Sequence, residues 1–252
     1  MTFSSFTTQH PYRSSLLFLL VVICVAIAMG MINELFLIGS LVQLAVEDLI
    51  LTITGIFLLT HLDWWGIAGY TTGIRLAEVS LFVLPVAAAL LSLGQGIRVT
   101  APITILAFAA LTLVVGFAEE TYFRGLILTT LLPTGMIRAV VLSSFVFAAP
   151  HLLNIIGGAW DPSFTVADSI AAFGLGVTFA ALRLRTGSIW PLVGVHALFD
   201  FSSLVSLGGI DVPPQSPQVL LTSVITGIVF VVYGLFLLRG KRTGGTGITN
   251  TV

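Results

Sequence analysis

Long apolar stretches, separated by short polar ones, run through most of the chain. A membrane-spanning helix needs about 20 apolar residues in succession, and eight stretches approach or exceed that length. We therefore predict helices over residues 15–33, 41–60, 77–94, 102–130, 138–156, 165–183, 188–207 and 218–238. The pattern predicts an all-α, polytopic membrane helical bundle of about eight transmembrane helices.

Two of these stretches differ from a plain membrane helix. Glu47 and Asp48 fall inside the second one, so a long bent helix with a short re-entrant segment is an alternative there. At 1.5 Å rise per residue, the stretch 102–130 is longer than a hydrocarbon core of about 30 Å. It should therefore tilt, break near Gly116 or continue into the membrane interface, and Pro133 limits its continuation.

Composition supports the same class of protein. Charged residues make up only 8% of the 252 residues and hydrophobic residues 57%, whereas soluble domains carry about 25% charged residues. No basic face is left for nucleic acid, and the lone Cys24 excludes an intrachain disulfide. We predict a polar N-terminal segment over 1–14, one transmembrane domain over 15–240 with a candidate catalytic core at 102–207, and a flexible tail over 241–252.

Basic residues in the loops and at the ends of the predicted helices lie almost entirely on one side of the bundle. With eight crossings, one side carries eight Arg or Lys residues, and the loops of the other side carry only Arg98. Cytoplasmic loops are enriched in Lys and Arg, so we predict a multi-pass protein of the cell membrane with both termini in the cytoplasm. Trp64 and Trp65, in the loop 61–76, are expected to anchor at the membrane interface. The eight basic residues are Arg13, Arg75, Arg138, Arg183, Arg185, Arg239, Lys241 and Arg242.

Three polar motifs interrupt the apolar stretches at membrane depth. A charged side chain there costs about 2.5–3.5 kcal/mol on insertion scales, so such residues are rare and usually functional. Each motif therefore marks a candidate functional position. The motifs are Glu119-Glu120-x-x-x-Arg124, Phe147-x-x-x-His151 and His196-x-x-x-Asp200.

The first motif divides into an ion pair and a single carboxylate. Glu120 and Arg124 are i,i+4 neighbours on a helix and can pair, whereas Glu119 points about 100° away from Glu120. We expect Arg124 to neutralise Glu120 and Glu119 to face a cavity. The alternative interpretation is an ion-paired strut between helices.

The two histidine motifs supply partners for Glu119. Pro150 precedes His151, and a proline kink there would open space beside the imidazole. His196 and Asp200 share one helix face, so Asp200 can orient the imidazole, share a ligand with it, or form a structural pair. A Glu and a His can activate a water for hydrolysis, and a second His with a carboxyl or amide can stabilise an oxyanion. We expect Glu119 and His151 within water-bridging distance, and His196 on the opposite wall of one cavity.

In their order, on separate transmembrane helices, the motifs between Ala118 and Phe201 resemble those of the CAAX protease and bacteriocin-processing (CPBP/Abi) family. The type II CAAX prenyl endopeptidases are its eukaryotic members. The resemblance implies an intramembrane glutamate endopeptidase in which Glu119 and His151 activate water. His196 and the residue at position 200 would form the oxyanion site. The substrate would be a membrane-associated peptide, prenylated or bacteriocin-related.

The resemblance also implies roles for the remaining motif residues. Glu120 and Arg124 would organise the site or contact the substrate. Asp200 differs from the Asn of the best-studied members, although the family pattern admits both residues. An ionised Asp cannot donate to an oxyanion, so Asp200 is either protonated by burial or orients His196 instead.

Two other functions fit the same residues. Glu119, His151 and His196 make a His₂Glu zinc ligand set with an open fourth position, but the H-E-x-x-H helix of many zinc proteases is absent, and we expect no cofactor. An immunity protein, a scaffold or a proton-coupled transporter would also use intramembrane acids and histidines, although no inverted repeat or paired broken helices indicate transport. The expected partners are the lipid bilayer and a peptide or protein substrate, lipidated or not. Neither the substrate nor the oligomeric state can be read from the sequence.

Overall fold

A computed structural model describes residues 6–7, 9–152, 155, 161–209 and 217–239, apart from the side chains of Gln95 and Pro217. Within these residues the chain forms eight helices and no strand, which confirms the predicted all-α bundle. The helices are α1 Pro11–Phe36, α2 Ser40–Leu62, α3 Leu76–Ser92, α4 Pro102–Thr134, α5 Met136–Leu152, α6 Pro162–Thr186, α7 Trp190–Leu207 and α8 Pro217–Arg239.

Six of the helices have the length and apolar composition of membrane spans, namely α1, α2, α4, α6, α7 and α8. The other two, α3 and α5, are shorter apolar helices. Helix α1 begins at Pro11 rather than at residue 15, since proline is well suited to the first turn of a helix. The predicted end of the fifth helix at 156 and the predicted tail 241–252 lie outside the described residues.

Helix α2 continues unbroken through Glu47 and Asp48. The alternative of a long bent helix with a re-entrant segment is therefore wrong. The helix ends at Leu62. The next residue, Asp63, has a left-handed backbone (φ 56°) and closes the last turn by donating its N–H to the Thr60 carbonyl oxygen at 3.2 Å.

Helix α4 lies at the centre of the bundle and contacts α1, α2, α5, α6 and α7. It is α-helical over Pro102–Glu120, π-helical over Thr121–Ile127, and tightens to a 3-10 turn over Leu132–Thr134. All residues of the π-helical segment are buried, and such segments occur frequently at functional sites. The predicted break near Gly116 is wrong, because the helix changes its winding at Thr121 and continues to the predicted stop around Pro133.

Gly116 is a packing residue. A Cβ atom there would lie 2.8 Å from the carbonyl oxygen of Val193 and 3.3 Å from the nitrogen of Ala197, both on α7. The missing side chain lets α4 and α7 approach backbone to backbone. This close approach brings α4 next to His196, whose Cβ would lie 3.5 Å from that added atom.

Loops that the eight-crossing topology places on the same side contact each other. Near the end of α6, Arg183 donates to the carbonyl oxygens of Ile67 and Ala68 at 2.6 and 3.0 Å. At the other end of the bundle, the backbone N–H of Arg98 donates to the carbonyl oxygen of Val205 at 3.0 Å. Arg183 was expected in a polar loop and is instead only 8% exposed. Its guanidinium is buried because it satisfies these carbonyls of the loop between α2 and α3.

That loop packs into the protein. Trp64 is buried in the core, so its predicted role as an interfacial anchor is wrong. Trp65 packs edge-on against Tyr70, with ring centroids 5.2 Å apart. Burial raises the pKa of Tyr70 above its ordinary value, and its hydroxyl bonds to that of Thr121 at the start of the π-helical segment. The loop therefore packs on α4 immediately after Glu120.

The contact between α6 and α8 depends on small residues. A Cβ atom on Gly227 would lie 2.6 Å from the carbonyl oxygen of Ile170. We expect Gly227→Ala to destabilise the protein by about 1–3 kcal/mol, because overpacking forces the backbones apart. Thermal unfolding in detergent measures this change. Gly30→Ala on α1 is the matched control, since its added Cβ would meet no other described part of the protein, outside its own turn of helix, within 4 Å. An equal loss of stability in both variants would contradict the prediction.

Candidate active site

A buried carboxylate, Glu120, joins α4 to α7. Its Oε1 accepts a hydrogen bond from Nη1 of Arg124 at 2.8 Å and lies 2.8 Å from Nδ1 of His196. The i,i+4 ion pair expected from the sequence is therefore present. A carboxylate paired with a guanidinium can only accept, so His196 donates from Nδ1. This contact fixes the imidazole against α4.

Aromatic rings enclose Arg124. Its guanidinium carbon lies 4.2 Å from the ring centroid of Phe147 and 5.3 Å from that of Phe179. Cation–π attraction is strongest where the cation is desolvated, and Arg124 is only 2% exposed. The pair with Glu120 is thus closed off from solvent. It holds α4, α5, α6 and α7 together around the site.

Glu119 points away from this pair and lines a cavity of about 90 Å³. Its side chain is 29% exposed, and its Oε2 lies 3.6 Å from Nε2 of His196. One water needs roughly 15 Å³ of such volume, so several waters fit in the cavity. The lining residues are Val22, Ile23, Ala26, Leu44, Glu47, Asp48, Leu51, Glu119, Tyr122, Phe123, Phe147, Pro150 and His151.

His151 lines the same cavity from the end of α5. The expected proline kink takes the form of a 3-10 turn over Ala149–Leu152, where the α-helix ends. Within the described part of the chain, the buried Nδ1 of His151 has no hydrogen-bond partner. The ring of Phe147 packs edge-on against both His151 and His196, at centroid distances of 5.7 and 5.9 Å. The imidazole is therefore held in place while one of its nitrogens stays available.

His196 lies among three carboxylates. In addition to its bond with Glu120, its Nε2 is 3.6 Å from Oε2 of Glu119 and 3.6 Å from Oδ2 of Asp200, beyond hydrogen-bond length. His196 is not among the residues that line this cavity, but its Nε2 lies next to Glu119, which does line it; its place on the opposite wall stays a prediction. The bond to Glu120 draws the ring between α4 and α7, directly beside Glu119.

Two acidic residues of α2 belong to this region, although the sequence motifs did not include them. Glu47 and Asp48 line the cavity with Glu119. Leu44 and Leu51 line it as well, so one face of α2, at i, i+3, i+4 and i+7, points at the site. The available signal was a pair of adjacent carboxylates inside a membrane stretch, which is rare unless functional.

A further acidic residue, Asp168 of α6, lies within electrostatic range of His151 and Asp200. It was not singled out from the sequence, since a single Asp near a helix start has no motif spacing.

Residues able to bind a metal ion are present but are not arranged for it. Among the residues that the structure describes, no group of three or more His, Cys, Asp or Glu side chains could hold a metal ion. The zinc ligand set considered from the sequence, Glu119 with His151 and His196, is thus not formed as a cluster. That the protein uses no cofactor stays a prediction.

Comparison with known proteins agrees with the motif resemblance. Residues 100–202 match the family model described as Rce1-like, type II CAAX prenyl endopeptidase Rce1-like, which confirms the resemblance. The match contains all three motifs. No curated protein matches the chain. The family match supports a CAAX-type intramembrane protease, an endopeptidase that acts on a peptide substrate, and the apolar helices add that it is a multi-pass membrane protein.

Proposed function

From the match to the type II CAAX prenyl endopeptidase family, we propose that the chain is a glutamate-type intramembrane endopeptidase that works without a metal ion. Its substrate is a membrane-associated peptide, prenylated or bacteriocin-related. The observation that supports this most directly is the cavity shared by Glu119 and His151, with His196 next to Glu119.

In this proposal Glu119 is the general base. It takes a proton from a water in the cavity while the water oxygen attacks the carbonyl carbon of the peptide bond. His151 offers its unpartnered Nδ1 position to the same water and orients it. Proton transfer to a positioned side chain contributes about 10²–10⁴-fold to a rate.

The attack places negative charge on the carbonyl oxygen, and His196 is the candidate donor to it. The Nδ1–H of His196 donates to Glu120, so only Nε2 can donate to the oxyanion, and it does so when the ring carries both protons. Asp200, whose Oδ2 lies 3.6 Å from Nε2, attracts the protonated ring electrostatically and does not itself donate. The tetrahedral intermediate then collapses, the C–N bond breaks, and the proton held by Glu119 passes to the leaving nitrogen.

Cleavage of a defined peptide tests the proposal. The purified protein in liposomes would be incubated with membrane-anchored peptides, with and without a prenyl group, and the products identified by mass spectrometry. Hydrolysis in ¹⁸O-labelled water should place one labelled oxygen on the new carboxyl group. Failure to cleave any such peptide, by a protein shown to be folded, would reject the protease.

Metal independence gives a separate prediction. Because the described residues form no metal-ligand cluster, we expect chelators to leave the cleavage rate unchanged, and metal analysis of the active protein to find no stoichiometric zinc. A zinc enzyme with three protein ligands would lose activity on prolonged chelation and regain it with added zinc. That result would replace the metal-free mechanism with a zinc-bound water.

A further inference from the structure

The cavity beside Glu119 is more acidic than water activation requires. Its ionisable lining residues besides Tyr122 are Glu47, Asp48, Glu119 and His151, with no Lys or Arg among them. The guanidinium of Arg124 is nearby, but it is bound to Glu120 and does not line the cavity. The carboxylates of α2 therefore face the site without a Lys or Arg partner from the lining.

Asp48 is the most buried of these carboxylates. It is 3% exposed and lines the cavity. In the described part of the chain its side chain forms no hydrogen bond or ion pair. Burying a carboxylate without a hydrogen-bond partner is costly. Among the described residues His196 attracts the Asp48 carboxylate through space, without a hydrogen bond to it. A cationic ligand that enters the cavity would supply a direct partner.

The rest of the lining suits a cation on an apolar stem. Tyr122, Phe123 and Phe147 line the cavity, and aromatic rings attract ammonium and guanidinium groups. Val22 and Leu44 add aliphatic surface, against which the methylenes of a long basic side chain can pack while its charged end reaches a carboxylate. An acidic side chain would meet repulsion in the same place.

We propose that Glu47 and Asp48 form a binding subsite for a lysine or arginine side chain of the peptide, next to the bond that is cleaved. The subsite rests on the proposed function, since the same cavity holds Glu119 as the base. The basic side chain supplies the positive charge that the lining lacks. Its charge also stabilises the ionised Glu119 that takes the proton from water, which couples recognition to reaction.

A paired peptide series tests this subsite. The full-length protein in liposomes would cleave membrane-anchored peptides in which one lysine is moved through the positions on either side of the cleaved bond. Each peptide has a partner with Nε-acetyl-lysine at the same position, which keeps the stem and removes the charge. At one position we expect lysine to raise kcat/KM about tenfold over acetyl-lysine, as a close charge pair does.

Variants of α2 test whether its carboxylates cause the preference for lysine over acetyl-lysine. Asp48→Asn and Glu47→Gln should each lower the ratio of lysine to acetyl-lysine cleavage, and the double variant should bring it close to one. Asp48→Glu, which keeps the charge, should retain the preference. Glu34→Gln is the control, since it removes an exposed carboxylate of α1 that does not line the cavity. If Asp48→Asn does not insert, the partly exposed Glu47 still allows the test.

The outcomes separate the subsite from the protease. Equal cleavage of lysine and acetyl-lysine peptides at every position would overturn the subsite and leave the protease in place. A preference that persists in the folded double variant would do the same. Cleavage of no peptide by the wild-type protein would overturn the proposed function and the subsite with it.

Discussion

Glu119→Gln is expected to lower the rate of peptide cleavage by about 10²–10⁴-fold, the range that a general base contributes. Glutamine keeps the shape of the side chain and cannot take a proton from water. The protein should still fold, because the side chain of Glu119 forms no hydrogen bond within the described residues, lies 3.6 Å from His196 and is 29% exposed. Single-turnover cleavage in liposomes, with unfolding measured in parallel, gives both quantities.

The matched control for this variant is Glu34→Gln, which also replaces one carboxylate on a membrane helix but lies outside the cavity. It should cleave at the wild-type rate. His151→Ala should be impaired as well, because it removes the second partner of the water. Retained cleavage in both Glu119→Gln and His151→Ala would reject the proposed roles of these two residues. A cellular phenotype that survives Glu119→Gln while cleavage is lost would favour a non-enzymatic role.

Much of the architecture follows from the sequence because membrane helices are specified locally. As far as their residues are described, all eight predicted stretches form helices, since long apolar runs leave the backbone no other way to satisfy its hydrogen bonds in lipid. The ion pair of Glu120 and Arg124 was equally local, being set by i,i+4 spacing. Both predictions needed only residues of one helix.

Contacts between helices could not be predicted in the same way. The sequence places Glu47 and Asp48 on one face of α2, but it does not say which helix that face meets. Only the packed bundle brings them to Glu119. Gly116 shows the same limit, because a glycine in a helix indicates either a hinge or a close contact. The structure shows a close contact with the backbone of Val193.

The place of His196 depends on a tertiary bond. Its i,i+4 spacing with Asp200 predicted a shared face, and the two do lie 3.6 Å apart. The stronger contact is with Glu120 on another helix, at 2.8 Å. Both carboxylates could bond to the His196 imidazole. Glu120 is fully enclosed and forms the short contact, whereas Asp200 is partly exposed and stays farther away.

Arg124→Met is expected to destabilise the protein by about 3–5 kcal/mol, because it leaves the charge of Glu120 buried without its guanidinium. Glu120→Gln should cost a similar amount, since Arg124 then lacks its counter-charge inside a ring of aromatic side chains. Reversible unfolding in mixed micelles measures both changes. Arg75→Met is the control: it breaks the Arg75–Glu78 pair, in which the Arg75 side chain is 81% exposed, and should change stability little.

The stability of the double variant Glu120→Gln/Arg124→Met shows whether the two residues act as a coupled pair or through independent contacts. Replacing a buried ion pair by neutral groups of similar volume is often close to neutral, so the double variant should be more stable than the sum of the single losses implies. Additive losses would show that each residue acts through other partners, such as His196 for Glu120 and Phe147 for Arg124. Since neither residue lines the cavity but Glu120 holds His196, a coupled and folded double variant should cleave more slowly and still depend on Glu119, as expected if the pair positions the site and takes no part in the chemistry.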